Sequence, residues 1–315
     1  MKKSFYWAAL LLCVSCGADD TDSEKGPTKP TNPVTPENPV NSSQVITYTS
    51  SNDYIVQPTV TSGFGANLIS NTYEEGVGKM VFDGPVTTIG PRAFEQCITL
   101  TSITLPNTIR TIEEGAFLSC YRLANISIPD NVISIGVRAF SFCSGLTSIT
   151  LSKNLVSIGE SAFSFCSSLT NITIPDKVTK IGESAFNGCK GLQSVIIGKG
   201  ITTIGNSTFS DLANLRNVTI GENVTSIGIL AFSMCNNLTE ITIPEKVISI
   251  EGLAFYKCSN LTKVYSKALT PPLLSSSAFD VRETAIYLGV PVGSKAAYQR
   301  AEGWKNFPTI EEVNF

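Results

Sequence analysis

The nine cysteines of this 315-residue chain could ligate a metal, form disulfides or act as nucleophiles. Leu212 stands at the cysteine position in one period, which indicates an apolar slot. Parallel side chains in stacked units suit a disulfide poorly, and an odd number leaves one thiol over. We therefore predict a buried column of free thiols, ahead of disulfides and of a metal site. Seven cysteines share one position of a 23-residue period: Cys97, Cys120, Cys143, Cys166, Cys189, Cys235 and Cys258.

Residues suited to catalysis are scarce. The chain has no histidine, which removes the commonest general base and metal ligand. The sequence contains no nucleophile elbow, phosphate-binding loop or HExxH motif. Glu240 is the only acidic residue at the outward strand positions, where exposure gives little desolvation to tune a carboxylate pair. We predict a non-enzymatic protein without cofactor or metal, and the net charge of −3 disfavours nucleic-acid binding.

The outward positions of the predicted strands form the candidate binding surface. Most of them hold Ser, Thr or Asn, which could simply keep a sheet soluble. The functional interpretation is a recognition surface, because solenoids commonly bind ligands along one face. Residues that interrupt the polar pattern, or that replace a small polar pair in a turn, are the candidates. They are Ile196, Glu240, Lys263 and Tyr265 on strands, and Tyr121 and Arg122 in a turn.

An internal repeat in the sequence predicts the strands and turns that position these residues. Within 146–151, Ile149 and Leu151 point to one side of a strand, and Ser148 and Thr150 point to the other. Parallel stacking about 4.8 Å apart places each apolar side chain on its copy in the next coil. Each buried ring contributes about 1.5–3 kcal/mol, so one unit is marginal and eight are stable. The recurrent phenylalanines, 23 residues apart, are Phe94, Phe117, Phe140, Phe163, Phe186, Phe209, Phe232 and Phe255.

The unit from Leu169 through Asn171-Ile-Thr-Ile-Pro to Ala185-Phe186-Asn-Gly-Cys189 resembles the BspA-like leucine-rich repeat. The resemblance covers 89–272 in eight copies. It implies a repeat solenoid of the β-rich α/β class: a right-handed leucine-rich-repeat coil of 23-residue units with a parallel sheet on its concave face. It also implies an N-terminal cap at 45–88, which we expect to end in a degenerate first coil that includes 79–82, and a C-terminal cap at 273–315. We expect the C-terminal cap to contain a short helix from about Ser294.

Residues 1–16 resemble a bacterial lipoprotein signal. A basic pair precedes a ten-residue apolar run, too short to span a bilayer, which ends at Ser15-Cys16. Cys16 would carry the lipid; an ordinary signal peptide cut near Ser15 is the alternative. The acidic residues that follow resemble the surface-export tag of Bacteroidetes-type lipoproteins. Prolines at every third residue predict an extended stalk over 17–44. We expect a lipid anchor in the outer membrane of a Gram-negative bacterium, with the protein on the cell surface.

The resemblance also implies an adhesin-like function, since related surface proteins attach to host matrix proteins and to other bacteria. We expect a cell-surface protein that recognises a protein partner through one face of its repeats. Two alternatives stay open. A glycan-binding accessory lipoprotein would need exposed aromatic residues, and Tyr265 is the only aromatic residue that the sequence places on the strand face. A structural spacer without a specific ligand is the other.

Overall fold

The computed structural model of the chain describes residues 41–279 and 286–315. The expected signal peptide, Cys16 and the stalk as far as residue 40 lie outside the described residues. The described residues belong to one unit, Val40–Phe315. No helix within them is long and apolar enough to cross a membrane.

Three antiparallel strands precede the repeats. The first of these strands lies between the third and the first long repeat strand and runs antiparallel to both. Glu75 and Gly76 both have positive φ, the geometry of a tight hairpin turn between the second and third strands. Residues 79–82, which we expect to belong to a degenerate first coil, lie in the second strand of this hairpin. After a 3₁₀ turn at Ser42–Gln44, the strands are β1 (Val45–Ser50), β2 (Leu68–Glu74) and β3 (Val77–Phe82).

Each repeat contributes one short and one long strand, and each pairs in parallel with its copy in a neighbouring repeat. The result is a parallel-strand solenoid of about ten turns with a spacing of about 23 residues and almost no helix. The predicted leucine-rich-repeat solenoid is thus confirmed. The short strands are β4 (Thr88–Ile89), β6 (Thr111–Ile112), β8 (Ser134–Ile135), β10 (Ser157–Ile158), β12 (Lys180–Ile181), β14 (Thr203–Ile204), β16 (Ser226–Ile227), β18 (Ser249–Ile250) and β20 (Leu273–Leu274). The long strands are β5 (Leu100–Thr104), β7 (Asn125–Ser127), β9 (Ser148–Thr150), β11 (Asn171–Ile174), β13 (Ser194–Ile197), β15 (Asn217–Thr219), β17 (Glu240–Ile243) and β19 (Lys263–Ser266).

A column of stacked phenylalanine rings runs through the core. From Phe94 to Phe255, successive ring centroids lie 5.0–5.5 Å apart and the ring planes within 13° of parallel. Phe64 meets the first ring edge-on, at 5.9 Å. Phe279 stacks on the last ring at 4.6 Å, although it follows Phe255 by 24 residues rather than 23. Both flanking segments therefore extend the core of the repeats.

The repeat cysteines form a second column. All seven are buried and free, which confirms the predicted thiol column. The Sγ atom of each cysteine from Cys120 to Cys258 donates to a phenylalanine carbonyl oxygen 26 residues earlier, at 3.0–3.3 Å. Cys97 donates instead to the carbonyl oxygen of Gln57, at 3.4 Å. The side chains thus bond to backbone rather than to one another through disulfides.

The turn between each short strand and its cysteine has an unusual backbone. Two residues in it have positive φ, for example Arg138 (53°) and Phe142 (60°). In this repeat the N–H groups of Arg138, Phe140 and Phe142 donate to carbonyl oxygens of the next repeat, at 2.7–2.9 Å. The same three bonds recur from repeat to repeat. The turns, like the strands, are therefore joined along the solenoid axis by hydrogen bonds between successive repeats.

The C-terminal segment covers the last coil. Strands β21 (Tyr287–Pro291) and β22 (Thr309–Val313) continue the long-strand sheet in parallel, beyond β19. Between them lie the helix α1 (Lys295–Arg300), with Ser294 at its N-cap position, and a 3₁₀ turn (Trp304–Asn306). Buried Trp304 donates from Nε1 to the Pro272 carbonyl oxygen at 2.7 Å, and buried Tyr298 donates to that of Ala268 at 2.7 Å. These aromatic residues close the apolar end of the solenoid.

Candidate binding site

The long strands place two rows of side chains on the solvent side of the sheet. Alternation along β11, for instance, exposes Asn171 and Thr173 while Ile172 and Ile174 enter the core. Where neighbouring long strands pair, as β11, β13 and β15 do, parallel pairing without a shift aligns each exposed residue with its copy in the next repeat. The rows hold mostly Ser, Thr and Asn. A residue that departs from this pattern can therefore be recognised by comparison with its copies in the other repeats.

Three of the candidates come together at the C-terminal end of this face. Glu240 on β17 pairs in register with Lys263 on β19, and Tyr265 pairs with Thr242. The next strand adds Tyr287, which pairs with Lys263. The sequence analysis missed Tyr287 because it follows Lys263 by 24 residues, one more than the repeat period.

The Tyr265 ring is held in a defined position. It packs edge-on against Tyr287, with ring centroids 6.1 Å apart, and against Phe315 at 6.4 Å. It also lies over the backbone of Gly289, where a Cβ atom would come within 2.6 Å of the Tyr265 Cδ1 atom. We call Glu240, Lys263, Tyr265, Tyr287 and Phe315 the C-terminal sheet patch. Phe315 lies outside the repeat, so periodicity gave no signal for it.

Ile196 lies in the same row as Tyr265, three repeats nearer the N-terminus. Its side chain is 44% exposed where the neighbouring strands carry Thr173 and Thr219. It lines a shallow depression of about 490 Å³, which shares Thr219 with a second depression of about 500 Å³ that reaches Lys267. Lys267 in turn places its Nζ atom 5.7 Å from the Phe315 ring centroid. Two adjoining depressions therefore lie between Ile196 and Lys267.

Tyr121 and Arg122 lie elsewhere. Both are exposed in the turn that precedes β7, in the second repeat, and the structure does not bring them to the C-terminal sheet patch.

The largest upward pKa shifts belong to core groups. Burial raises the pKa of the Cys97 thiol and of the Tyr298 hydroxyl to about 12, so both stay protonated and neutral at neutral pH. The described residues contain no group of three or more Cys, Asp or Glu side chains placed to hold a metal ion. The sheet face carries an exposed carboxylate, an ammonium group and three aromatic rings, and these groups are suited to non-covalent binding.

A solenoid of stacked 23-residue coils, with one Leu-rich parallel strand in each, defines a leucine-rich-repeat protein. The profile of the family described as "BspA type Leucine rich repeat region (6 copies)" matches residues 72–191 and 156–280. These segments cover more than half of the chain, and the chain belongs to this family.

Solved structures of bacterial leucine-rich-repeat proteins are similar to this chain. One from Bacteroides ovatus is 26% identical, with a TM-score of 0.51; the match covers 77% of this chain and 67% of that one. One from T. pallidum is 33% identical, with a TM-score of 0.47, over 50% of this chain and 73% of that one. A search of curated proteins gave no match.

Proposed function

We propose that this protein is a non-enzymatic, adhesin-like surface protein that binds a protein partner through the C-terminal sheet patch. Its family consists of repeat proteins that serve as protein-interaction scaffolds. The observation that carries the proposal is the concentration of Glu240, Lys263 and three aromatic rings at one end of a face that holds mostly Ser, Thr and Asn. Protein interfaces are enriched in aromatic residues in this way.

The geometry of Tyr265 supports this use. Its ring is fixed by Gly289, Tyr287 and Phe315, so little side-chain entropy would be lost when a partner covers it. The charged pair at Glu240 and Lys263 borders the rings and would orient a partner of complementary charge. Host matrix proteins and other bacterial surface proteins are the partners that we propose.

Replacing Tyr265 and Tyr287 by alanine is expected to weaken binding at least about tenfold, because the ordered rings at the centre of the patch would be lost. The full chain, solubilised in mild detergent, is applied to immobilised matrix proteins, bacterial surface proteins and glycans. The matched control replaces Asn125 and Ser127, which occupy the same two rows near the N-terminal end, and should bind like wild type. Equal binding by all three proteins would contradict the proposed site.

A glycan is the second candidate ligand. Tyr265 packs against Gly289 with Tyr287 beside it, and an aromatic ring fixed in this way is a platform on which a sugar can stack. In the same experiment, signals on glycans alone that fall in the tyrosine variant would favour this candidate. No signal from a folded sample would favour a structural spacer.

We further propose a lipid anchor at Cys16, with the protein held at the outer membrane and displayed on the surface. Replacing Cys16 by alanine is expected to abolish incorporation of a labelled fatty acid, because the thiol is the acylated atom. Cys13→Ala, three residues earlier in the same segment, should retain the label. Label that persists in the Cys16 variant would exclude the anchor.

A further inference from the structure

A second departure from the repeat pattern lies away from the sheet face, on the turns of repeats two to four. It comprises Tyr121, Arg122, Arg138, Phe142 and Phe165, which we call the turn patch. All five side chains are exposed. Phe142 and Phe165 are 44% and 40% exposed, and yet their rings stack on each other with centroids 4.8 Å apart and planes at 11°.

The fold does not require aromatic residues at these two positions. Phe142 and Phe165 have φ of 60° and 61°, a region that side chains with a Cβ atom adopt at a cost. Other repeats make the same turn with unrelated residues. The residues at this position in the other repeats are Gln96, Ser119, Gly188, Asp211, Met234 and Lys257. The turn itself therefore does not explain why exposed, stacked rings occupy these strained backbone positions.

Tyr121 and Arg122 adjoin the ring pair. A Cβ atom at Gly145, the copy of Arg122 in the third repeat, would come within 2.5 Å of the Tyr121 carbonyl oxygen and 3.4 Å of the Arg122 Cα atom. The two turn segments are thus in direct contact. Ser144, next to Gly145, donates its N–H to the carbonyl oxygen of Phe142 at 2.8 Å. This places Tyr121 and Arg122 next to the segment that presents Phe142.

The patch also carries positive charge that the chain does not neutralise. Arg122 and Arg138 form no ion pair with any residue of 41–279 or 286–315, whereas Arg92 on the same side of the solenoid lies near Glu95 and Glu114. Two guanidinium groups without an ion pair in the described residues, on the same turns as three exposed aromatic rings, have the composition of a binding hot spot. They complement a surface that is apolar at its centre and acidic at its rim.

We infer that the turn patch is a second protein-binding surface, which takes an acidic segment of a partner with an apolar side chain seated against the Phe142–Phe165 pair. It is separate from the C-terminal sheet patch, and it does not depend on the function proposed there. The carboxylates of the segment pair with Arg122 and Arg138. A protein with both surfaces would bridge two partners.

The probe is a set of short synthetic peptides with Leu and Phe at the centre and Asp or Glu on both sides. A matched set carries Lys at the acidic positions. The full chain is expected to bind the acidic set at least about tenfold more tightly. The double variants Arg122→Ala/Arg138→Ala and Phe142→Gly/Phe165→Gly should each lose about tenfold in affinity for the acidic set. Equal binding of the two sets, or an unchanged affinity in either double variant, would overturn the inference.

The control is Met234→Gly, at the same position of a distant repeat, where φ is 59° and the side chain is exposed. It should bind the acidic peptides like wild type, and a loss as large as that of the phenylalanine variant would contradict a local site. Glycine relieves the positive φ at 142 and 165, so the phenylalanine variant should unfold at no lower denaturant concentration than wild type. A clearly lower midpoint would show that the rings serve the fold. The arginine variant alters only exposed side chains and tests the site without that ambiguity.

Discussion

Replacing Phe163 by alanine is expected to lower the free energy of unfolding by about 3–5 kcal/mol. The Phe163 ring is fully buried and stacks between Phe140 and Phe186 with centroids 5.2 Å away on either side. The coils above and below are joined by strand and turn hydrogen bonds, so they cannot collapse into the cavity. Equilibrium unfolding in guanidinium chloride, followed by circular dichroism, measures the change.

The chain provides a matched control two residues away. Phe165 is exposed and stacks only at the surface, so Phe165→Ala should change the free energy of unfolding by less than about 1 kcal/mol. Because repeats contact mainly their neighbours, the Phe163 variant is also expected to broaden the transition as the two halves lose cooperativity. If the two variants were equally stable, the phenylalanine column could not be a principal source of stability.

The thiol column is expected to make the fold unstable at alkaline pH. Burial raises the pKa of Cys97 from 9.0 to about 12, and burial also raises the pKa values of Cys166 and Cys235 well above the ordinary range. Since only the unfolded chain loses these protons just above pH 9, the thiols stabilise the fold fully below that pH. The contribution of Cys97 is lost as the pH rises from 9 towards 12, by about 1.4 kcal/mol per pH unit, and the contributions of Cys166 and Cys235 are also lost as the pH rises.

Unfolding midpoints measured at increasing pH test this directly. Leu212 shows that the slot accepts an apolar residue, so Cys166→Leu removes one titrating group from the column. The free energy of unfolding of this variant should fall less steeply above pH 9, by about 1.4 kcal/mol per pH unit. An unchanged slope would show that other groups dominate alkaline unfolding.

The repeating part of the fold could be predicted from the sequence because its contacts follow from one period. Once Phe94 and Phe117 are aligned, every later ring lies on the ring before it. The same period predicted the column of thiols, and Leu212 at the equivalent position indicated that the environment of the thiols is apolar. It also placed Glu240 beside Lys263, because parallel pairing at a constant register brings equivalent positions together.

Periodicity could not predict what the flanking segments do. The pairing of Val77–Phe82 depends on the hairpin turn at Glu75-Gly76 and on the neighbouring strand β1, neither of which belongs to the repeat. Phe279 and Tyr287 occupy repeat positions after one additional residue, so a strict 23-residue search passes over them. The stacked Phe142 and Phe165 are 23 residues apart, a signal that was present in the sequence. The main phenylalanine column, two residues earlier, obscured it.

The hydrogen bonds between the turns have an electrostatic consequence. In successive repeats, three peptide units point their N–H groups towards the next repeat and their C=O groups towards the preceding one. Each peptide unit has a dipole of about 3.5 D, and parallel dipoles add, whereas those of the strands alternate and largely cancel. The turns therefore form a macrodipole, like that of an α-helix, with its positive end at the C-terminal cap.

Both flanking segments form hydrogen bonds with terminal groups of this ladder. At the negative end, Thr59 donates its N–H to the Ala93 carbonyl oxygen and its hydroxyl to that of Glu95, at 2.8 and 2.7 Å. At the positive end, the carbonyl oxygens of Ser277 and Ala278 accept from Leu253 and Phe255. The partial charges at the ends of such a dipole depend on the terminal groups and not on the number of units between them. A solenoid of this kind can therefore gain or lose whole repeats while the same two caps bond to its terminal groups.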